Sequence, residues 1–579
     1  MSNSTKIIRL LPICFLFFFQ FSIGQKKDEN IGTEVVNVVK PYSPTISDAF
    51  KVKETPSLQD DETSKRETIN YSIFSFPVAS TFAPSKGKAE NVEKEATEKG
   101  HKNYATLGFG NYTTINAALF VTDNLSDHEV IGGMFRHLSS QGGIKDVLLN
   151  DKFHTTSLDL SYGNQQKNSN WISDLGFQNQ AYNWYGVPTD LATTFVDVIN
   201  PYHTYNNFYV GTKVKFNASF FQEAALKYSH FWDSYGSTEN RFFVKPSLEF
   251  DIAGEKIKTL FVADYLGGTL GRNDAGGNTN TYGITNFGVQ PSFIMNKDNW
   301  SVNIGAAVYY SLDSKHSDSK LYVYPEVTAS LKVVGDYMIF YSGLTGGLEH
   351  NSYRDFTNEN PFVSPNVSVS PIVPTNKQYD LFAGLKGKLA NSVNYTLKAA
   401  YKSEKNKSLF KHNDFDVFGA HDNYQYGNSF SVVYDDIKTF SFYGEIKADL
   451  SKIVTFGING SFSNFSTTNE NEAWNLPTLK LSSNLAISIA KKWKIGSEVF
   501  FIGDRKEFKQ IAFEPAYIEG IQTLDSYFDA NVNLEYKHTD RLSAFIKCNN
   551  LTNNNYQKWV NYPVQGLQVV LGANYKFDF

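Results

Sequence analysis

Histidine and aspartate side chains crowd into one short segment of the chain, KHNDFDVFGAHDN, and both residue types are common ligands of divalent metal ions. The candidate ligands are His412, Asp414, Asp416, His421 and Asp422. The alternative is a solvated polar loop, which we favour because nothing in the surrounding sequence fixes the geometry of these side chains. We therefore predict no metal site and no cofactor.

Catalytic residue patterns do not stand out elsewhere. The 11 histidines are scattered, and no Ser-His-Asp arrangement can be inferred from their positions. We predict that the protein is not an enzyme. The formal net charge of −5 gives no indication of nucleic-acid binding.

The strands that would position any site are predicted from a strict alternation of apolar and polar residues, which is clearest in the terminal stretch LQVVLGANYKFDF. One face of that stretch carries Leu571, Ala573, Tyr575, Phe577 and Phe579, while the other face is mostly polar. Successive side chains of a strand point to opposite faces, so this pattern predicts a strand with one apolar face. The same alternation recurs from about residue 103 to the end, for example in 300–311, 442–450 and 528–537.

Composition indicates where these strands lie. Phe and Tyr number 47 and 34, yet the mean hydropathy of the chain is negative. Many aromatics in a chain that is polar on average are typical of a transmembrane β-barrel, whose strands face lipid on one side and water on the other. After the first 24 residues, no stretch is apolar for the roughly 20 residues that a membrane-spanning helix needs, so any crossing of the membrane must be made by strands.

Short polar turns alternate with long irregular loops, as in outer-membrane barrels with short periplasmic turns and long outer loops. The fold class that we predict is all-β, a transmembrane antiparallel barrel of about 22 strands. The strands are expected at 103–109, 112–122, 128–138, 153–164, 170–182, 203–217, 221–233, 239–252, 256–268, 278–295, 299–311, 319–332, 336–348, 376–388, 392–404, 426–449, 452–464, 476–489, 492–504, 524–537, 541–550 and 566–579. The 426–449 segment is long enough for two strands, so the expected count is roughly 20 to 24.

The first part of the chain is different. Residues 1–24 have a basic start, an apolar core and small residues before a cleavage position, which predicts a secretory signal peptide. Residues 25–100 contain charge clusters and several prolines, and we expect this segment to be mostly extended in the periplasm. The barrel is then expected to occupy 101–579.

The end of the chain resembles the TonB-dependent receptor superfamily of Gram-negative outer membranes, in the versions common in Bacteroidetes. The similarity lies in the run NNLT (Asn549 to Thr552), Tyr556, the pair Tyr562-Pro563, and Gly566, which links the last two strands. The resemblance implies location in the outer membrane of a Gram-negative bacterium and a large barrel plugged by an N-terminal domain. It also implies energised import of chelated metals, vitamins or glycans. The C-terminal strand resembles the one that the barrel assembly machinery reads.

This chain departs from the family pattern at its N-terminal side, because residues 25–100 do not read as a full plug domain. The segment TEVVNVV is similar to the box that contacts TonB, and its candidate residues are Thr33, Glu34, Val35, Val36, Val38 and Val39. Barrels of this size are normally plugged, so something should fill the lumen. The N-terminal segment, inward-folded outer loops and a second protein are the alternatives, and our hypothesis is a surface lipoprotein lid.

The expected function is solute passage or transport across the outer membrane by a TonB-dependent receptor-like barrel with a partner that closes its lumen. The first alternative is a structural barrel subunit of an outer-membrane assembly or secretion complex. The second is an outer-membrane enzyme. The expected partners are outer-membrane lipids, the barrel assembly machinery, a surface lipoprotein lid and TonB.

Overall fold

Twenty-two antiparallel strands pair edge to edge in a single sheet that closes on itself. The computed structural model describes residues 100–217, 220–252, 255–273, 279–366, 372–415, 422–513 and 516–579. Closure is made by the first and last strands, which pair from Asn103 opposite Phe577 to Gly110 opposite Val570. The fold predicted from the sequence, a closed antiparallel barrel of 22 strands, is confirmed.

The wall strands are β1 (Asn103–Gly110), β2 (Thr114–Ser126), β3 (Glu129–Ser140), β4 (Phe153–Gln165), β5 (Ser169–Asn183), β6 (Tyr202–Phe216), β7 (Phe221–Asp233), β8 (Thr238–Ile252), β9 (Glu255–Asn273), β10 (Thr279–Lys297), β11 (Trp300–Asp313), β12 (Asp318–Val334), β13 (Met338–Glu349), β14 (Thr375–Ala390), β15 (Val393–Asn413), β16 (Ser429–Asp449), β17 (Val454–Ser466), β18 (Leu479–Ile489), β19 (Trp493–Ile502), β22 (Tyr527–Lys537), β23 (Leu542–Asn549) and β26 (Gln568–Phe577). Two small sheets in the described part of the chain are separate from the wall. They consist of β20 (Arg505–Phe513) with β21 (Ala516–Leu524), and of β24 (Gln557–Trp559) with β25 (Tyr562–Pro563).

Helices are short in the described part of the chain. They are the 3₁₀ turn Asn111–Thr113, α1 (Thr193–Val196) and α2 (Tyr353–Glu359). None of them is long and apolar enough to cross a membrane.

The alternation in the sequence separates the two faces of the wall. Phe442 of β16 stands opposite Phe462 of β17, and both rings remain about half exposed on the outer face. Their neighbours toward the lumen, such as the paired Ser441 and Ser463, are polar. The outer face of the barrel is therefore apolar and the inner face is polar, which is the arrangement that alternating strands of a membrane barrel require.

The predicted 426–449 segment is one strand, β16, and not two. Its neighbour β15 was expected to end at residue 404 but continues to Asn413. The reason is a register shift between Glu404 and Lys407, where Asn406 adopts a left-handed backbone conformation with φ of 53°. A bulge of this kind re-aims a strand without ending it, so the polar run there did not mark a loop.

Candidate functional site: a packed loop layer

The long connections of the chain meet at the barrel end opposite the termini, which we call the loop end. Because β1 begins and β26 ends at the same edge of the wall, every odd-to-even connection of the first nineteen strands lies at the loop end. The connections that pack together there are here called the loop layer. Within the described residues they are 184–201, 350–366, 372–374, 414–415, 422–428, 467–478, 503–513, 516–526 and 550–567.

The connection between β13 and β14 turns inward and forms α2. Ser352 caps this helix, since its hydroxyl accepts a hydrogen bond from the Asp355 N–H at 3.0 Å. The cap starts the helix immediately after the strand ends, and the helix then buries Tyr353 and Phe356. The Tyr353 ring packs on Phe231 of β7 with 5.8 Å between centroids. The connection therefore lies against the inner wall rather than extending away from the barrel.

Two buried carboxylates of the wall hold this helix. The Glu239 carboxylate accepts hydrogen bonds from the Tyr353 N–H at 2.7 Å and from the Tyr282 hydroxyl at 2.6 Å. The Asp233 carboxylate accepts from the Tyr353 hydroxyl at 2.9 Å and from the Ser237 N–H at 2.7 Å. A carboxylate buried without such partners would be strongly destabilising, so these bonds fix both the acids and the helix.

Beyond α2 the same connection crosses to another part of the wall. The Tyr205 hydroxyl of β6 donates to the Pro361 carbonyl at 2.7 Å, and two residues later Val363 forms a parallel bridge with Phe430 of β16. The Phe430 N–H donates to the Phe362 carbonyl at 3.0 Å, and the Ser364 N–H donates to the Phe430 carbonyl at 2.9 Å. One connection thus joins β6 to β16, two strands far apart around the ring.

The last connection, between β23 and β26, inserts Tyr562 into the centre of the layer. Its hydroxyl donates to the Asn428 carbonyl at 2.7 Å, and its ring stacks on Phe362. From the β5–β6 connection, the Tyr185 hydroxyl donates to the Pro563 carbonyl at 2.8 Å. The Asn428 amide donates to the Trp184 carbonyl at 3.1 Å, so these three connections share one set of contacts.

The β20–β21 hairpin docks on the side of the layer next to β15. The Arg505 guanidinium donates to the carbonyls of Lys558 and of Gln557, the latter at 2.6 Å. The Glu507 carboxylate accepts from the His412 N–H at 3.1 Å and from the Asn475 amide. Burial raises the pKa of Glu507 above its ordinary value, because the charged form loses its hydration there.

An aromatic cluster forms the interior of the layer and joins it to the wall. Its buried members are Trp184, Tyr205, Phe231, Leu266, Leu270, Tyr282, Tyr353, Phe356, Phe362, Val363, Ile372, Phe410, Tyr424, Phe430, Val432, Leu524, Trp559, Val560 and Tyr562. Aromatic rings bury large areas and pack with specific geometry, so a cluster of this size gives the connections one defined arrangement.

The predicted metal candidates do not converge where the structure describes them. His412 lies at the end of β15, and its Nδ1 is 3.1 Å from the Asp414 carboxylate while its Nε2 is 2.9 Å from the Gly427 carbonyl. Asp422 pairs with Arg272 at 3.0 Å. Asp416 and His421 lie outside the described residues. Over the described ranges, no group of three or more metal-ligating side chains is present. His412 is also buried, so it does not belong to a solvated loop as we expected.

Two other predicted sites have different outcomes. The TonB-box-like residues 33–39 and the signal peptide lie outside the described residues. The C-terminal residues Leu571, Ala573, Tyr575 and Phe577 lie on β26, where their side chains share the outer face and the strand closes the barrel against β1. Phe579, which we expected on the same strand, lies beyond its end at Phe577. Recognition of this strand by an assembly machinery stays a prediction.

Sequence reasoning missed the loop layer, although its connections were recognised as long and irregular. The signal was the number of aromatic residues within them, such as NWYG at 183–186, NPF at 360–362 and KWVNYP at 558–563. Solvated loops rarely hold so many aromatics, because exposing them gains nothing.

The wall, its apolar outer face and its polar lumen define the protein's class as a large closed β-barrel of the outer-membrane type of fold. No family model matches the sequence, and no curated protein matches it.

Solved structures do match the fold. The FrpB iron transporter from Neisseria meningitidis aligns with a TM-score of 0.63 and 11% identity, over 83% of this chain and 82% of that one. The ferric-catecholate import receptor Fiu from E. coli K12 aligns with a TM-score of 0.61 and 10% identity, over 83% and 82%. The ferripyoverdine receptor of the outer membrane of Pseudomonas aeruginosa aligns with a TM-score of 0.60 and 13% identity, over 83% and 72%. At these identities the similarity establishes a shared fold.

Proposed function

We propose that this protein is an outer-membrane barrel, similar to TonB-dependent receptors, that passes a solute across the outer membrane, and that its loop layer is the gate. The observation that carries the proposal is the combination of an apolar outer face with a polar lumen whose loop end is crossed by connections that pack on one another. Iron, a ferric catecholate and ferripyoverdine are named for the matched transporter and receptors. A chelated nutrient too large for general diffusion is therefore the cargo class that we assign.

The loop layer supports gating because its contacts join distant parts of the wall. The β13–β14 connection reaches from Tyr205 of β6 to Phe430 of β16, and the β23–β26 connection joins the same cluster through Tyr562. A barrel of this strand number would otherwise leave a wide aqueous lumen. We infer that the chain's own connections obstruct the lumen, in place of the separate lid that the sequence led us to expect.

The remaining partners belong to this proposal as predictions. The Thr33–Val39 segment would contact TonB, and the signal peptide would direct export. A surface lipoprotein would bind above the loop layer as an accessory. Affinity purification from native outer membranes tests each of these partners, and recovery of assembly or secretion proteins alone would favour the structural-subunit alternative.

Conductance in planar lipid bilayers tests the gate directly. The purified full chain should give small or no unitary currents, while a variant with residues 351–374 replaced by a short Gly-Ser linker should give large, stable currents. Large currents from the unaltered protein would contradict the gate. If neither protein gave currents, something other than the loop layer would obstruct the lumen.

A further inference from the structure

The outer face of β3 to β6 changes from apolar to polar partway along the strands. Phe135, Leu158 and Phe177 face outward on neighbouring strands and are 38%, 44% and 40% exposed. Two residues further along each strand toward the loop end, the next outward-facing residues are polar on four consecutive strands and stand opposite one another across the sheet. They are His137, Thr156, Asn179 and Asn206. We call these four residues the polar row.

The polar row is joined by hydrogen bonds along the surface. His137 Nδ1 lies 2.8 Å from the Thr156 hydroxyl, and the Asn179 amide donates to the Asn206 carbonyl oxygen at 2.7 Å. His154, one pair position higher on β4, bonds to Asn179 through its Nε2 at 2.9 Å. Beyond the row, Asn206 stands opposite Trp232 of β7, and His230, opposite Phe208, bonds to Asn240 of β8 at 2.9 Å. These bonds cross the β3–β4, β4–β5, β5–β6 and β7–β8 boundaries, so the hydrogen-bonded polar surface is continuous from β3 to β6.

Such a surface shows where the apolar part of the outer face ends on β3 to β6. Polar side chains facing hydrocarbon are costly, so the apolar layer should end just below the polar row. Aromatic side chains with a polar atom prefer this interface, and two of them lie here. Trp232 stacks on His230 with 5.1 Å between centroids, and Tyr202 is exposed at the rim above.

A groove of about 420 Å³ opens on the outer side of the rim directly above the polar row. Its lining includes Asn150, Lys152, His154, Asn183, Asn200 and Tyr202. Its charged group is the exposed Lys152, since the adjacent Asp151 is buried and accepts hydrogen bonds from the N–H groups of Gly143 and Ile144 at 3.1 and 2.7 Å. The groove therefore offers a cation, a histidine and several amides at the level of the lipid head groups.

We propose that this groove and the polar row bind the phosphate-bearing sugar head of an outer-leaflet glycolipid, with its acyl chains lying on Phe135, Leu158 and Phe177. Lys152 and His154 would pair with the phosphate, and the asparagines would bond to sugar hydroxyls. A glycolipid fits better than a free anion because the groove is continuous with the apolar band below it. The inference rests on the membrane location proposed above.

Native mass spectrometry of the full chain in mild detergent tests the site. The probes are a bisphosphorylated acylated glucosamine disaccharide, phosphatidylglycerol and inorganic phosphate. The unaltered protein should retain one glycolipid, and K152A/H154A should lower the retained fraction by about fivefold, the effect of one cation near an anionic lipid surface. K152E, at an exposed position, provides a second variant that keeps the His154–Asn179 hydrogen bond. K452A, in a turn at the other barrel end, should retain glycolipid as the unaltered protein does.

Equal glycolipid retention by all variants would overturn the proposal, as would equal retention of phosphatidylglycerol. Displacement of the glycolipid by inorganic phosphate would show a free-anion site and would also overturn it. Heat-modifiable electrophoretic mobility establishes that each variant is a folded barrel. A chain that stays monomeric without detergent would defeat the membrane proposal itself, and this outcome is recorded separately from lipid retention.

Discussion

The rings of Phe362 and Tyr562 stack with 3.5 Å between centroids and 16° between planes, although they belong to connections from different parts of the barrel wall. Tyr562 is buried, and its hydroxyl reaches the Asn428 carbonyl of a third connection. This pair is the point at which the β13–β14, β15–β16 and β23–β26 connections meet. The loop layer therefore depends on a contact that no single connection can form alone.

Removing the Tyr562 ring should loosen the loop layer while the barrel stays intact. We expect Tyr562→Ala to lower the stability of the layer by about 3–5 kcal/mol, as for other buried aromatic truncations. The wall keeps its own ladder of backbone hydrogen bonds, so the barrel should remain folded. Bilayer recordings should show larger or more frequent currents than for the unaltered protein. Tyr337→Ala removes an exposed tyrosine at the opposite end and should leave the currents unchanged; currents that rise equally in both variants would contradict the prediction.

A side chain at Gly186 should have a similar effect through crowding. A Cβ placed there would lie 2.3 Å from Cε2 of Tyr562, closer than two carbon atoms can approach. Because Tyr562 is surrounded by other buried rings, it cannot move aside, and Gly186→Ala should weaken the layer by about 1–3 kcal/mol. Gly347→Ala on β13, where nothing lies within 4 Å of the added carbon, controls for the loss of a glycine near the loop end. Protease resistance of the loop end would compare the two variants, and equal resistance of Gly186→Ala and the unaltered protein would refute the crowding.

The Glu239 carboxylate should hold α2 in place. In Glu239→Gln the remaining carbonyl oxygen can accept from the Tyr353 N–H and the Tyr282 hydroxyl as Oε2 does now. The amide NH2 group then replaces Oε1 and faces the Arg354 N–H, which leaves a buried donor unpaired. We expect a loss of about 1–3 kcal/mol in the docking of the helix. Hydrogen exchange of residues 352–360 should become faster. Glu249→Gln, on the same strand but near the barrel end that holds the chain termini, should not change hydrogen exchange in residues 352–360.

The wall could be predicted from the sequence because residues along each strand alternate between the face that contacts lipid and the face that contacts water. The expected segment 221–233 agrees with β7 (Phe221–Asp233), and the strand order follows from short turns and long connections. Period-two alternation is a local signal that lipid on one side and water on the other impose along every strand. The bulge at Asn406 was missed because a register shift depends on the partner strand as well as on local sequence.

The loop layer could not be predicted in the same way. Contacts such as that between Phe362 and Tyr562 join residues far apart in the sequence, and no repeating pattern in the sequence relates their positions. His412 illustrates the consequence. Its neighbours in sequence suggested a metal-binding loop, but in space it is buried beside Phe430, with 5.4 Å between ring centroids. The composition of the loops indicated that they are rich in aromatic residues. Which residues these aromatics contact is set by the closure of the whole barrel.

Docking of the β20–β21 hairpin should depend on pH through Glu507. Its pKa is raised by burial, so the docked state binds a proton more tightly than the undocked state. Docking should therefore be strongest below the ordinary glutamate pKa of about 4.3 and weaken as pH rises through the raised value. Hydrogen exchange of residues 505–509 across this range would measure the effect. Glu507→Gln, which cannot ionise, should remove the dependence; a slope that persists in this variant would contradict the assignment to Glu507.

The last residue of the chain should matter for assembly more than for stability. Phe579 is 84% exposed, and its ring meets Phe577 edge-on with 5.5 Å between centroids, so it adds little to the folded wall. If the C-terminal strand is read by an assembly machinery, Phe579→Ala should reduce the amount of heat-modifiable barrel recovered from outer membranes. Barrel that does assemble should unfold within about 0.5 kcal/mol of the unaltered protein, as for most surface substitutions. Phe220→Ala removes another exposed phenylalanine, 63% exposed, from a turn at the same end and should leave the recovered amount unchanged. Equal losses in both variants would mean that an exposed aromatic ring anchors the barrel at the membrane interface, and that the C-terminal position of Phe579 carries no signal.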